Sequence, residues 1–339
     1  MITSHCPGHI TLIFSIHDSS LLPRGQGSRG VGLCVNHGVR VELKSLGMVK
    51  PEDDGELSSG ARIDTPPKYT QSPELHVNIW DLEGKEFQGS VDMYQDLVSE
   101  LREMYLLNMY ESFQLDVYLQ LPVSQGFGMS ASGLMATCSA FQNYTNKGRQ
   151  EQYVRLAHRL ERKYHGGLGD ILGLHLGGVE IRTIPGSPGA GGDGNSFTVD
   201  TNLLLVWDSE TKRHTSTYID DPKWKLSISK SGDECVDQLI KGEWNKGKWS
   251  QIIEQSTKFS RDSGMVSEEI RFEFLEKVNS KIRKLKLDSK VHACLCMLGI
   301  SAVILPKSLD NELSMEELVS LKEELTEQNL GSRISKIHS

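Results

Sequence analysis

Long apolar runs are missing from this 339-residue chain. The longest, Val291 to Leu305, contains His292 and Ser301 and stops at Pro306, too short for the roughly 20 apolar residues of a membrane-spanning helix. A basic excess is missing as well: 37 Lys and Arg against 45 Asp and Glu give a formal net charge of -8, and no lysine- or arginine-rich block offsets it. Nucleic-acid backbones are held by clustered cations, so this balance argues against any general affinity for DNA or RNA. An anionic small molecule would have to be met by individual basic side chains. Cysteines are few and scattered (Cys6, Cys34, Cys138, Cys235, Cys294 and Cys296), and only the last two lie close together, in an apolar segment. Zinc-ligand spacing is therefore absent, and the thiols read as reduced core residues. No basic region precedes the first apolar segment, so no secretory signal is expected and a cytoplasmic location is the default. Internal repeats, coiled-coil heptads and long low-complexity tracts are absent too.

What is present begins with enough chain for a substantial core and for two compact domains. The most informative stretch is Pro122-Val-Ser-Gln-Gly-Phe-Gly-Met-Ser-Ala-Ser-Gly-Leu-Met-Ala136, a small-residue loop leading into an apolar helix. Gly126 and Gly128 allow positive φ and close approach of the backbone to a ligand. Ser130, Ala131 and Ser132 supply amides at a helix start, where the helix dipole favours anions. Leu134, Met135, Cys138 and Phe141 follow at helical spacing. The loop is not a Walker motif, for it lacks a closing Gly-Lys-Ser/Thr, and not a Rossmann fingerprint, for its third glycine is missing. Taken alone it fits a phosphate site and a plain glycine-rich helix start equally.

Periodicity places strands at Ile10 to Ile16 and Val31 to Leu43, with a Pro23 to Gly30 loop between them. Residues 47 to 73 form a polar excursion. A helix is expected over Asp92 to Met109 and a strand over Leu115 to Leu121, delivering the chain to the glycine loop. In the helix expected from Glu151 to Tyr164, His158 and Glu161 stand three apart and share one surface. Ser187-Pro-Gly-Ala-Gly-Gly-Asp-Gly194 is the clearest hinge or linker candidate, dividing the chain into domains at 1–190 and 195–339. Downstream, Asn202 to Asp208 and Ile300 to Leu305 suit strands, and Glu268 to Leu285 and Ser314 to Leu325 suit amphipathic helices.

Several blocks in order carry a resemblance: Cys6-Pro-Gly-His-Ile-Thr11, Gly27-Ser-Arg-Gly30, the Pro122 to Ser132 loop, Ala157-His158 with Glu161, Gly167-Leu-Gly-Asp170, and Gly177-Gly178 running on to Arg182 and Pro185-Gly186. Together, over roughly residues 5 to 190, they resemble the GHMP kinases, which phosphorylate small molecules, and most nearly the archaeal pantoate kinase branch. The resemblance implies a two-domain α+β GHMP kinase fold, with ATP across the N-terminal domain and the acceptor in the interdomain cleft. It implies ATP-dependent phosphorylation of a small hydroxy acid, pantoate, to 4-phosphopantoate, a step towards coenzyme A. Other small-molecule GHMP kinases, of homoserine, mevalonate or shikimate type, and a non-catalytic nucleotide-binding protein on the same fold are the alternatives. A homodimer is the expected assembly.

By the same resemblance Pro122, Gly126, Phe127, Gly128, Met129, Ser130, Ala131 and Ser132 contact ATP. Ser130 and Glu161 would hold Mg2+, which takes one or two hard protein oxygens beside substrate phosphates. Asp170, nine residues after Glu161, would orient the acceptor hydroxyl and take its proton late. Without the resemblance, Glu161 reads as a solvated helix glutamate and Asp170 as a helix cap. Ser28, Arg29, His158 and Arg182 are implied as substrate contacts, with Arg182 gripping a carboxylate through its planar fork and Arg24 a further candidate. Thr215 is a weaker one. Three departures stand out: His9 where mevalonate kinase-like relatives have lysine, Met129 in place of the first of two paired serines, and a shortened glycine motif, Met297-Leu-Gly-Ile-Ser301. The last leaves open how the C-terminal part serves the phosphate site.

Overall fold

The structure, a computed structural model, describes residues 1–50, 72–87, 89, 91–209 and 221–338. Most of the polar excursion, and Thr215, lie outside the described residues. The first half is organised around one long strand. Strand β2 (Gly30–Met48) pairs antiparallel through residues 30–43 with the whole of β1 (Ile2–Phe14). Its C-terminal half also pairs with β4 (Glu111–Leu119), and residues 30–33 with β5 (Val179–Ile184). β3 (Leu75–Trp80) lies parallel to β4, and β6 (Asp193–Phe197) antiparallel to β5. In β4 the side chains of Phe113, Leu115, Val117 and Leu119 are buried and those between them are not, the period-two alternation of a strand with one face in the core.

Helices α1 (Asp92–Glu103), α2 (Met129–Thr145), α3 (Gln150–Lys163) and α4 (Asp170–Leu176) accompany this sheet. α1 buries Tyr94, Leu97, Val98 and Leu101, one helical stripe. It ends six residues before the expected Met109: Tyr105 takes a left-handed φ of 57°, and the amides of Leu106 and Leu107 turn back to the Leu101 carbonyl. The expected hinge at Ser187 to Gly194 is instead the turn of the β5–β6 hairpin, closed by Gly192 N–H to Ser187 O at 3.0 Å. Glycines that suit a linker also suit a tight turn, and here Gly186, Gly189 and Gly191 all take positive φ.

The second half carries a four-stranded antiparallel sheet in the order β10 (Leu330–Lys336), β7 (Asn202–Asp208), β9 (Ser301–Pro306), β8 (Val291–Leu295). Its helices are α5 (Pro222–Leu239), α6 (Trp249–Asp262), α7 (Glu269–Lys284) and α8 (Met315–Thr326). The two faces of β7 enter different cores. Leu203, Leu205 and Trp207 join the large core shared with the first half, whereas Leu204 and Val206 join a smaller one with Phe274, Val278 and Leu321. All six cysteines are free and buried. Among the described residues no helix is long and apolar enough to cross a membrane.

Candidate active site

A cavity of about 420 Å³ opens between the glycine loop, the α3–α4 turn, β1 and the segment before β9. Part of its wall is apolar, with Ile79, Phe87, Met93, Leu119 and Val123. Another part is polar, with Thr11, Ser28, Ser130, Glu161 and Asp170.

The loop has the conformation its glycines foretell. Gly126 and Gly128 take φ of 73° and 67°, and Gly128 stands at the N-cap of α2, where no side chain caps the helix. The first-turn amides are thus left to a ligand, the arrangement that suits an anion. A Cβ on Gly128 would lie 3.0 Å from the His9 Cβ, so the turn is fitted to the opening strand, whose His9 N–H also donates to Phe127 O of the loop at 3.1 Å. Pro122, Gly126, Phe127, Gly128, Met129 and Ser130 all line the cavity, and Ala131 and Ser132 do not. The Ser132 hydroxyl donates instead to the Pro7 carbonyl at 2.6 Å.

The short Met297–Ser301 segment braces this loop from behind. Gly299 lies so close to the Gln125 backbone that any side chain there would overlap it. The Gln125 amide donates to Asp208 O at 2.8 Å and accepts from Ile300 N–H at 3.1 Å, and the Ser301 hydroxyl donates to Gln125 O. Gln125, absent from the sequence-based candidates, therefore couples the glycine loop to the second sheet. Only its place inside the loop could have signalled it.

The two expected carboxylates share the cavity under different influences. Glu161 is buried and accepts at one oxygen from the Ser130 hydroxyl at 2.8 Å and from Gly167 N–H at 2.7 Å. Burial, and then the Asp170 charge, push its carboxyl up to about 7. Asp170 is also largely enclosed, which alone would raise its carboxyl. The hydrogen bond and positive charge of His9 outweigh that and hold it below the usual range. His9 Nδ1 lies 2.6 Å from Asp170 Oδ1, and the Thr11 hydroxyl is at 3.5 Å from the same oxygen.

Of the expected acceptor contacts, Ser28 lines the cavity and the others do not. Arg29 is drawn away: it donates to Thr183 O at 3.0 Å, Asp233 at 2.9 Å and Asp237 at 2.7 Å. His158 is buried, with Nε2 at 3.1 Å from both Pro23 O and Gln26 O, so it pins the 23–26 turn. Arg182 is wholly buried, is bonded to Glu180 at 2.7 Å and does not line the cavity. Arg24 is exposed. Among the described residues, no lysine or arginine lines the cavity.

With this geometry in view, comparison with known proteins places the chain by class. Residues 93–178, which hold α1 through α4, match the family described as GHMP kinases N terminal domain. This stretch is similar to GHMP kinase N-terminal domains, and the chain as a whole has the GHMP kinase fold. The chain is 25% identical to a pantoate kinase of Thermococcus kodakarensis over all of its length and 96% of that protein. It is 27% identical to a pantoate kinase of Methanospirillum hungatei over 80% of this chain and 78% of that one. A solved structure titled "Phosphotransferase related to CoA biosynthesis pathway" superposes with a TM-score of 0.70, at 23% identity, over 99% of this chain and 96% of that chain.

Proposed function

We propose that this protein is a pantoate kinase, transferring the γ-phosphoryl group of ATP to the terminal hydroxyl of pantoate. The observation that carries the reading is the joint presence, on one cavity wall, of a positive-φ glycine loop opening an uncapped helix, the Ser130–Glu161 pair, and Asp170. The pantoate kinase relatives supply the acceptor. Phosphoryl transfer asks the protein mainly for position and charge. The loop and the first turn of α2 would receive the phosphates, and the apolar wall the base. Asp170, ionised under His9, would orient the hydroxyl and receive its proton as the oxygen–phosphorus bond forms and the bond to ADP breaks. Thr11 and Ser28 would meet the acceptor.

Ser130 and Glu161 fit a divalent cation, being two hard oxygens 2.8 Å apart in a buried position where an unpaired carboxylate is costly. Bound there, Mg2+ would offset phosphate charge. We place the chain in the cytoplasm and as a homodimer, with no nucleic-acid or membrane partner. The test is a coupled ADP-release assay across pantoate, homoserine, mevalonate and shikimate. Pantoate should exceed the others in kcat/KM by at least about tenfold, roughly 1.4 kcal/mol of differential transition-state binding; equal or better turnover of another alcohol would overturn the reading.

A further inference from the structure

Backbone strain singles out one residue of the cavity wall. Seven described non-glycine residues take positive φ, and five of them, Tyr105, Asn146, His165, Lys286 and Asn329, stand at or just beyond a helix C-terminus, where a left-handed residue commonly ends the ladder. The other two, Ser124 at 61° and Leu298 at 78°, close no helix, and both line the cavity. A bulky side chain in this region carries a steric cost that glycine or asparagine would largely avoid.

Leu298 persists there because the turn around it is locked from both sides. Cys296 N–H donates to Ser301 O at 2.9 Å, Met297 N–H to Thr11 O at 3.1 Å and Ile300 N–H to the Gln125 side chain at 3.1 Å, while Gly299 is wedged against the Gln125 backbone. Strain held in place by its surroundings in this way gathers at ligand sites. Leu298 is half-buried and also packs on the large core. The gain from such partial burial is of the same order as the strain, so packing alone does not select leucine over a residue that fits the turn.

The place of the turn says what its side chain meets. The Met297 bond ties it to Thr11, whose hydroxyl lies 3.5 Å from Asp170 Oδ1, and Phe14, farther along the same strand, lines the cavity as well. Leu298 thus stands toward Asp170, apart from the apolar wall of Ile79, Phe87 and Met93 that β3, α1 and the chain between them supply. An alcohol whose hydroxyl is held at Asp170 turns its next carbon to this side of the cavity. We propose, resting on the pantoate kinase reading, that Leu298 is a specificity-determining residue: with Met297 and Phe14 it receives the two methyl groups on the carbon next to the reacting CH2OH. It thereby favours acceptors that are quaternary at that carbon over unbranched hydroxy acids. Pantoate has such a carbon; homoserine does not, and mevalonate bears its methyl one carbon farther from its primary alcohol.

The test compares kcat/KM for pantoate and for 2,4-dihydroxybutanoate of the same configuration, the same acid without its methyl groups, at saturating ATP. Both are measured on one preparation, so their ratio does not depend on the fraction of protein that is folded. The wild type should prefer pantoate by about tenfold or more, the least that well-fitted methyl groups bring. In Leu298→Gly, and in Leu298→Asn, which suits the left-handed turn and is close to leucine in size but polar, the preference should fall to within about threefold. Leu298→Met, apolar and similar in volume, should keep it. A wild type that does not phosphorylate pantoate overturns the kinase reading and this proposal with it. An active wild type that uses both acids equally, a glycine or asparagine variant with the wild-type preference, or a methionine variant that loses it overturns this proposal alone.

Discussion

Glu161 and Asp170 stand in one cavity with opposite proton affinities, and this difference governs what single substitutions should do. Asp170 is held below the usual carboxylate range, so Asp170→Asn should cut kcat by about a hundredfold or more while ATP affinity, measured by calorimetry, stays nearly intact. Glu161 is raised to about 7 from an unfolded value of 4.5. A group raised in the folded state contributes stability below its unfolded value, and that contribution is lost as pH climbs through the folded one. The ionised carboxylate thus weakens the cation-free protein at pH 8 and not at pH 5. Glu161→Gln should raise the melting temperature at the higher pH only, by the equivalent of up to about 3 kcal/mol, and should increase the Mg2+ concentration needed for half-maximal turnover. An unchanged melting temperature at pH 8 would mean Glu161 is already relieved by its two hydrogen bonds. The placement of Ser130, Glu161 and Asp170 on one cavity was legible in the sequence because each lies inside a short motif whose local geometry fixes it. That Arg29, His158 and Arg182 do not line the cavity was not legible, because a residue type does not reveal which neighbours it bonds. Asp233 and Asp237 take Arg29 from two hundred residues away, and Glu180 holds Arg182 across a buried face.

At the scale of elements, the strand–loop–helix order of β4, the glycine loop and α2 was readable from period and composition, since local sterics decide it. The end of α1 was not, because the left-handed turn at Tyr105 depends on an apolar helix stripe giving way to an exposed tyrosine. The loop's fit to β1 leads to a prediction about backbone conformation. Gly128→Ala forces a side chain into positive φ beside His9. It should raise KM for ATP about tenfold and cost roughly 1 kcal/mol or more of stability. Gly47 also takes positive φ, at 96°, but a Cβ there meets nothing within 4 Å. Gly47→Ala should therefore lower stability comparably and leave KM for ATP alone. If both variants bind ATP as the wild type does, the loop is not the phosphate site.

Over the whole molecule, the sequence suggested two halves but could not show how far they share an interior. The large core draws on both: Phe14 of β1 packs edge-on to Phe259 of α6 at 5.6 Å, and Phe127 of the glycine loop edge-on to Trp207 of β7 at 5.9 Å. Leu203, Ile228, Cys296 and Val303 enter the same core. An isolated 1–197 segment, which keeps every strand of the first sheet, would expose these faces and leave Gln125 without Asp208, Ile300 and Ser301. Exposing buried aromatic and aliphatic side chains costs about 1.5 to 3 kcal/mol each, and a few of these exceed the net stability of a typical domain, about 5 to 15 kcal/mol. Expressed alone, residues 1–197 should lack a cooperative thermal transition and bind an ATP analogue at least about a hundredfold more weakly than the full chain. Co-expression with residues 198–339 should restore both. A cooperative, nucleotide-binding 1–197 fragment would show instead that the shared core is an interface between self-sufficient domains, and that the glycine loop holds its shape without the brace behind it.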